Sequence, residues 1–235
     1  MIEDTLREIT AQALALADSF ERGVCSGVCV PSSETARSGA EASGPSRRHS
    51  GRSMKNAIVG VDVDDVCADL IGEWLRRYNY KYGDNLTRED ITSWEISAQT
   101  TKAPKGEFHK ILLEPDLYEH VLPIPYARTG IYELLANGHR VVYVTHCTPG
   151  TEEAKRQWLV KWGFLSPENM RRDFMPIQDK SLARTDFLFD DKVENVETFK
   201  GIGVLVDRPH NAFERWKCPV KVPGMQYAQS LISQL

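Results

Sequence analysis

The sequence has few cysteines, no excess of positive charge and no long hydrophobic run. Its five cysteines are scattered, and Cys25 and Cys29 have no second pair at the spacing of a zinc ribbon. Scattered free thiols are typical of the reducing cytoplasm, where we expect the protein to reside. The formal net charge of −4 leaves no basic footprint for a nucleic-acid duplex. No apolar run approaches the length of a membrane span, so no membrane partner is predicted.

The first 53 residues differ in composition from the rest. Apolar residues recur at steps of three and four between Ile2 and Phe20, which predicts an amphipathic helix. Its early acids, among them Glu3 and Glu8, argue against a secretory signal. Residues 27–53 are rich in Ser, Gly, Ala, Pro and Arg, and such a segment buries too little apolar surface to offset its chain entropy. We therefore interpret residues 1–53 as a helix plus a disordered linker, dispensable for activity.

Residues 54–235 are interpreted as one domain, long enough to bury a substantial core. Short apolar runs alternate with helical patterns, which indicates an α/β fold with a parallel sheet and helices on both faces. Residues 86–125 contain no clear strand pattern and predict a small helical insertion, so that a cap of about residues 70–125 interrupts the core. Strands are predicted at 57–61, 140–145, 173–176, 186–190 and 203–207, and helices at 66–78, 126–136, 151–162 and 225–235.

The most informative segment is an apolar run over residues 57–61 that ends in three carboxylates, Asp62, Asp64 and Asp65. The run predicts a strand buried on both faces. Ligands bind beyond the carboxyl ends of such strands in open α/β sheets. Crowded carboxylates raise one another's pKa unless a cation joins them, and oxygen ligands suit Mg²⁺. The segment therefore predicts a magnesium site at this edge of the sheet.

Two further predicted strands end in polar side chains, one in Thr145 and one in Asp190 and Asp191. Because parallel strands present their carboxyl ends at one edge, we expect these groups to converge with Asp62 and Asp64. The chemistry that fits best is phosphoryl transfer from a monoester. Asp62 would attack phosphorus as the nucleophile, and Asp64 would act as general acid and then as general base.

The remaining candidates surround the phosphate. Mg²⁺ would be held by Asp62, by Asp190 or Asp191, and by a backbone carbonyl at or near Asp64, and Thr145 would donate a hydrogen bond to the phosphate. A lysine is needed to balance the charge. Two stand in suitable positions, Lys155 on the helix after the Thr145 strand and Lys180 in a loop before Asp190, and the sequence leaves both open.

These residues resemble motifs I to IV of the haloacid dehalogenase superfamily of phosphatases: Asp62-Val63-Asp64, Thr145, Lys155 or Lys180, and Asp190-Asp191. Within it the chain is similar to the 5'(3')-deoxyribonucleotidases, which remove phosphate from deoxynucleoside monophosphates. The resemblance implies a Rossmann-like core, a small helical cap inserted after the first strand, Mg²⁺ dependence and an aspartyl-phosphate on Asp62. The closer similarity lies in residues 62–69, 113–115, 123–125, 179–181 and 186–192.

The resemblance also implies that cap residues stack on the base. Trp94 is our candidate, and Phe108 is a weaker one; the alternative for both is packing within the cap. The family usually has Gly where this chain has Asp65, and an aromatic residue where it has Leu70, which would line the base site here. His146 replaces a small hydroxyl residue, and either binds phosphate or lines the pocket. The other histidines are predicted to be surface or packing residues: His109, His120, His139 and His210.

Two other functions remain open at this point. A different cap preference would make the protein a phosphatase of a non-nucleotide monoester. A receiver-like signalling module also places acids, a Thr and a Lys at strand ends, but in a different order and without a cap. The sequence leaves a homodimer open as well.

Overall fold

A computed structural model describes residues 56–104 and 107–235, with the side chains of Glu107 and Phe108 excepted. The predicted N-terminal helix, the linker and Met54 lie outside the described residues. So does the side chain of Phe108, one of the two candidates for base stacking. No helix of the described segments is long and apolar enough to cross a bilayer.

The described residues form one sheet of six parallel strands in the order β3-β2-β1-β4-β5-β6. All five predicted strands are present, and the short β6 was not predicted because two residues carry no periodic signal. The central strands β1 and β4 are almost fully buried, as their near-continuous Val, Ile, Leu and Phe content requires. The strands are β1 (Ile58–Val61), β2 (Arg140–Thr145), β3 (Phe174–Pro176), β4 (Phe187–Asp190), β5 (Ile202–Val206) and β6 (Lys221–Val222).

Seven α-helices accompany the sheet in the described part of the chain. The first begins at Leu70, not near Val66 as predicted, because the Asp69 carboxylate accepts the N–H of Gly72 and caps the helix there. The helix predicted over 151–162 begins at Glu152, and the side chain of Thr151 before it makes no cap bond. The helices are α1 (Leu70–Tyr82), α2 (Glu107–Leu112), α3 (Leu117–His120), α4 (Ala127–Ala136), α5 (Glu152–Lys161), α6 (Val193–Thr198) and α7 (Ala228–Gln234).

Side chains alternate between the two faces of the sheet, as the two-residue period of a strand requires. Phe187 and Phe189 point into the larger core, which α4, α5 and α7 cover, whereas Leu188 points into a smaller cluster on the other face. Helix α6 packs on β5 through Val196 and Leu205. The sheet therefore has helices on both faces, as the sequence predicted.

The segment between β1 and α4 forms a separate small cluster around α1, where Ile71, Trp74 and Tyr78 pack together with Ile91 and Ile111. This is the predicted helical insertion. Its two connections to the core lie side by side: the Asp69 N–H donates to Leu122, and the Ile124 N–H donates to Cys67. Helix α3 belongs by its packing to the main core, because Leu117 and Tyr118 lie in the larger cluster.

Candidate active site

The register of the sheet brings the carboxylates of β1 and β4 together. Val61 pairs with Phe189, and the N–H of Asp62 donates to the carbonyl of Phe189 at 2.9 Å, so Asp62 and Asp190 follow at the same level. Strand β2 pairs with β1 on the other side and ends in the buried Thr145. The polar groups at these three strand ends thus meet at one edge, as parallel strands dictate.

Asp62, Asp190 and Asp191 form a cluster of three buried carboxylates, and one oxygen from each lies within 4.8 Å of the other two. Burial, together with the negative charge of Asp62, raises the pKa of both Asp190 and Asp191 to about 7, although Lys180 opposes the shift. A hard divalent cation is the usual partner of such a set, because its charge compensates the ionised carboxylates and it prefers oxygen ligands. The donor set fits Mg²⁺.

Lys180 lies between two of these carboxylates. Its ammonium is 2.8 Å from an oxygen of Asp62 and 2.7 Å from one of Asp190, and the residue is 3% exposed. Burial alone lowers the pKa of Lys180, but the two carboxylates outweigh it and hold the pKa above its usual range. Lys180 therefore carries a fixed positive charge between Asp62 and Asp190.

Two residues that support the cluster were missed by sequence reasoning. Asn195 donates from its amide nitrogen to both oxygens of Asp190, at 3.0 and 3.1 Å. His210 was predicted to be a surface or packing residue, and this was wrong: Nε2 lies 2.8 Å from an oxygen of Asp191, and the residue is buried. Burial lowers the pKa of His210 to about 4, so a neutral ring donates to the carboxylate. The position of His210 in the loop after β5, at the same sheet edge, was the available signal.

Asp64 lies apart from the three-carboxylate cluster. One of its oxygens accepts the hydroxyl of Tyr118 at 2.5 Å, and the other accepts the ammonium of Lys155 at 2.6 Å. Lys155 also donates to Thr145 at 3.2 Å and to the carbonyl of His146. The structure thus brings both candidate lysines to the site, each with a different carboxylate, but does not bring the Asp64 side chain to the candidate metal ligands.

A cavity of about 480 Å³ joins these groups to the cap. Its cap side is apolar, with Leu70 at the start of α1 and Trp94 among the lining residues. The Trp94 ring is 39% exposed and packs edge-on against His210 at 4.7 Å between ring centres. His146 is exposed and lines the cavity as well, and so does the exposed His109, which the sequence had assigned to the surface or to packing. The cavity therefore combines an acidic and cationic floor with an apolar wall.

Asp65 stands where a glycine was expected, and its backbone keeps the glycine-type conformation with φ of 53°. Asp tolerates this left-handed region better than most residues. Its buried carboxylate lies 2.8 Å from Arg88 of the cap, which also contacts Asp69. Burial raises the pKa of Asp65 to about 6, although Arg88 opposes the shift. Asp65 in place of glycine thus adds an ion pair between the loop after β1 and the cap.

Comparisons with known proteins cover nearly all of the described chain. A family model described as "5' nucleotidase, deoxy (Pyrimidine), cytosolic type C protein" matches residues 56–225, a segment that contains every site residue above. The 5'(3')-deoxyribonucleotidase of Clostridium acetobutylicum is 31% identical over 163 residues, which cover 68% of this chain and 87% of that protein. The enzyme of the same name from Bacillus subtilis is 28% identical over 159 residues, 67% of this chain and 88% of its own.

A solved structure supports the fold independently. The crystal structure of a HAD family hydrolase from Deinococcus radiodurans, with bound phosphate and sodium, superposes with a TM-score of 0.50 at 14% identity. The match covers 77% of this chain and 98% of that protein. At this level of identity the likeness concerns the fold, and it agrees with the parallel α/β sheet described above.

Proposed function

The chain belongs to the family of deoxy (pyrimidine) cytosolic type C 5'-nucleotidases and is a phosphoric monoester hydrolase; from this premise we propose that it is a Mg²⁺-dependent phosphatase of deoxynucleoside monophosphates. One observation supports this most strongly. Asp62, Asp190 and Asp191 form one cluster, Lys180 pairs with the first two, and Asp62 and Asp191 line a cavity that also contains Asp64 and extends to an apolar wall. The names of the relatives, 5'(3')-deoxyribonucleotidases, supply the substrate class.

In the proposed first step, a carboxylate oxygen of Asp62 forms a bond to phosphorus and the bond from phosphorus to the sugar oxygen breaks. Asp64, in its protonated form, transfers its proton to that leaving oxygen, so the nucleoside departs as a neutral alcohol. Lys180 lies within hydrogen-bond distance of Asp62 and would stabilise negative charge on the transferring group. Thr145 and Lys155 lie at the neighbouring strand end, where they can contact phosphate oxygens.

In the second step, the Asp64 carboxylate accepts a proton from water as the water oxygen attacks the phosphorus of the aspartyl-phosphate. The bond between phosphorus and Asp62 breaks, and inorganic phosphate and the free carboxylate are regenerated. The Asp64 side chain is 25% exposed, which leaves it access to the cavity.

We propose that Asp62, Asp190 and Asp191 hold the cation. Their burial and the raised pKa values of Asp190 and Asp191 support this assignment, because a bound cation compensates the charge of three crowded carboxylates. When bound, Mg²⁺ supplies charge stabilisation to the phosphoryl group and fixes its orientation. Asn195 and His210 would keep two of the ligands in position through their hydrogen bonds.

We further propose that Trp94 and Leu70 form the wall against which the base lies. Trp94→Ala is expected to raise KM for a deoxynucleoside monophosphate about tenfold, because base–aromatic stacking contributes about 1–3 kcal/mol. The same variant should leave KM for glycerol phosphate unchanged, since that substrate has no base. Trp216→Ala, which removes a ring that is 76% exposed, is the matched control and should change neither KM. Equal effects on both substrates would contradict the assignment.

The test of the function is phosphate release from a panel of 5' and 3' deoxynucleoside, ribonucleoside and non-nucleotide monophosphates with added Mg²⁺. We expect a deoxynucleoside monophosphate to show the highest kcat/KM and EDTA to stop the reaction. Clear preference for a non-nucleotide would favour the alternative of a small-monoester phosphatase with the same core. The receiver-like alternative has no support, because the family is one of phosphoric monoester hydrolases and the chain carries a cap.

We also propose that residues 54–235 form the whole catalytic domain, with the cap of about residues 70–125 inserted in it, and that residues 1–53 are dispensable. A chain that begins at Met54 should hydrolyse the preferred substrate at the rate of the full chain.

A cytoplasmic location is proposed from the scattered thiols and from the word "cytosolic" in the family description.

A further inference from the structure

Both oxygens of the Asp64 carboxylate have a partner, and the two partners come from different helices. The hydroxyl of Tyr118 on α3 donates to Oδ1 at 2.5 Å, and Lys155 on α5 donates to Oδ2 at 2.6 Å. The Tyr118 ring also lies beneath the Lys155 ammonium, with 5.8 Å between the nitrogen and the ring centre. A hydrogen bond to each of its two oxygens therefore fixes the orientation of the Asp64 carboxylate.

The main core, and not the cap, fixes the position of Tyr118. The residue is 6% exposed and packs in the larger hydrophobic cluster. The segment around it is tied to α5, because the Trp158 indole donates to the Val121 carbonyl at 2.9 Å and Lys161 donates to the Glu119 carbonyl at 3.1 Å. Its hydroxyl is thus presented from a rigid base.

The two partners of Asp64 differ in one chemical respect. An ammonium donates only, so the bond from Lys155 to Oδ2 favours the ionised carboxylate. A phenol can donate to Oδ1 in either state, because the carbonyl oxygen of a neutral carboxylic acid still accepts. Burial raises the pKa of Tyr118 well above its usual range, and the charge of Asp64 raises it further, so the hydroxyl keeps its proton. Tyr118 can therefore hold Asp64 through Oδ1 without giving up its own proton, which leaves Oδ2 to Lys155 and the cavity.

We propose that Tyr118 is a positioning residue for the general acid: its hydroxyl holds Oδ1 of Asp64 and thereby fixes the orientation in which the carboxyl group meets the leaving oxygen. This inference rests on the proposed function, since it assigns Tyr118 to the proton transfer by Asp64. The alternative is that Tyr118 only fills the core. The two differ in whether removal of the hydroxyl affects the step that needs a proton.

The test compares Tyr118→Phe with wild type in the first turnover, by rapid quench, on two substrates. A deoxynucleoside monophosphate has an alkoxide leaving group that needs a proton, whereas p-nitrophenyl phosphate has an acidic leaving group that does not. We expect the first-turnover rate to fall about 10-fold or more on the nucleotide and by less than about twofold on the aryl ester, with KM unchanged. Tyr143→Phe is the matched control, because this buried tyrosine donates to the Phe164 carbonyl at 2.7 Å, away from the cavity.

A double-mutant cycle completes the test. In an Asp64→Asn background, Tyr118→Phe should change the nucleotide rate by less than about twofold, because the group it positions is gone. Equal losses on both substrates, or a loss that persists in that background, would reduce Tyr118 to a packing role and overturn the proposal. So would an unchanged rate on the nucleotide. Tyr118→Met, which fills apolar space without a hydroxyl, is the second variant should Tyr118→Phe not fold, and the same selective loss is expected.

The proposed function and the role of Tyr118 would be rejected by different results. If the wild-type protein hydrolyses neither a nucleotide nor another alkyl monophosphate, the proposed function is wrong and the role of Tyr118 is rejected with it. If wild type hydrolyses the nucleotide and Tyr118→Phe matches it, only the inference about Tyr118 is wrong.

Discussion

Asp62→Asn is expected to lower the rate of phosphate release by at least about a thousandfold, because the amide is a poor nucleophile toward phosphorus. The fold should survive the change. The amide oxygen still accepts the N–H of Val63, which Asp62 Oδ1 accepts at 2.7 Å, and one negative charge leaves a crowded cluster. The measurement is phosphate release at saturating substrate, together with circular dichroism and a melting curve.

Asp186→Asn is the matched control for that experiment. Asp186 precedes β4 at the opposite edge of the same sheet, where its carboxylate accepts the N–H of Ile58 at 2.7 Å. The same chemical change there should leave kcat within about twofold, since no atom of the reaction lies near it. Substantial residual turnover by Asp62→Asn, free of wild-type contamination, would remove Asp62 from the nucleophile's role.

Asp191→Asn is expected to lower activity by about a hundredfold or more and, at the same time, to stabilise the metal-free protein. The first effect follows because a candidate cation ligand is lost. The second follows because burial and the charge of Asp62 raise the pKa of Asp191 to about 7, so its ionised form is unfavourable in the folded state. The amide oxygen can still accept from His210, so that contact is retained.

The sign of the stability effect depends on pH. The unfolded carboxyl ionises near its ordinary pKa of 3.8, whereas the folded one ionises only near 7. Ionisation therefore costs the wild-type folded state nothing below pH 4 and progressively more as the pH rises to about 7. In EDTA, the free energy of unfolding of Asp191→Asn should exceed that of wild type at pH 8, and the difference should shrink toward zero as the pH falls to 4 and below. Denaturant titrations at the two pH values measure this difference.

Added Mg²⁺ should make wild type more stable than Asp191→Asn, because a cation that binds only the folded protein stabilises it. Wild type should melt at a higher temperature with Mg²⁺ than with EDTA, and Asp191→Asn should show little or no shift. Asp207→Asn is the control at the end of the neighbouring strand β5, where the carboxylate lies 3.6 Å from Arg215. It should keep the wild-type shift. An equal Mg²⁺ shift in wild type and Asp191→Asn would place the cation elsewhere.

Much of the fold and the meeting of the catalytic-edge groups could be predicted from the sequence. Strands β1 and β4 are apolar runs that end in acids, and the parallel topology alone requires their ends to share an edge. Asp62 and Asp190 lie at the same level because Val61 pairs with Phe189 in the sheet. This register depends on how the strands pair, and no local sequence pattern encodes it. Both candidate lysines reach the site, and the sequence could not tell which carboxylate each would contact.

The partners that orient the carboxylates were beyond sequence reasoning. Tyr118, Asn195 and His210 lie on segments whose local patterns indicate an ordinary helix or loop, and they become relevant only through packing between distant parts of the chain. The backbone at Asp65 shows a different limit. The sequence marked the missing glycine as a departure, but only the coordinates show that φ stays at 53° and that the new carboxylate pairs with Arg88.

The most direct test of the account is the mass of the peptide that contains Asp62, after acid quench during turnover of a deoxynucleoside monophosphate with Mg²⁺. We predict that this peptide gains the mass of one phosphoryl group, and that the gain disappears with EDTA and in Asp62→Asn. Wild-type turnover with a phosphoryl group on another residue, or with none on any peptide under conditions that preserve acyl phosphates, would contradict the account.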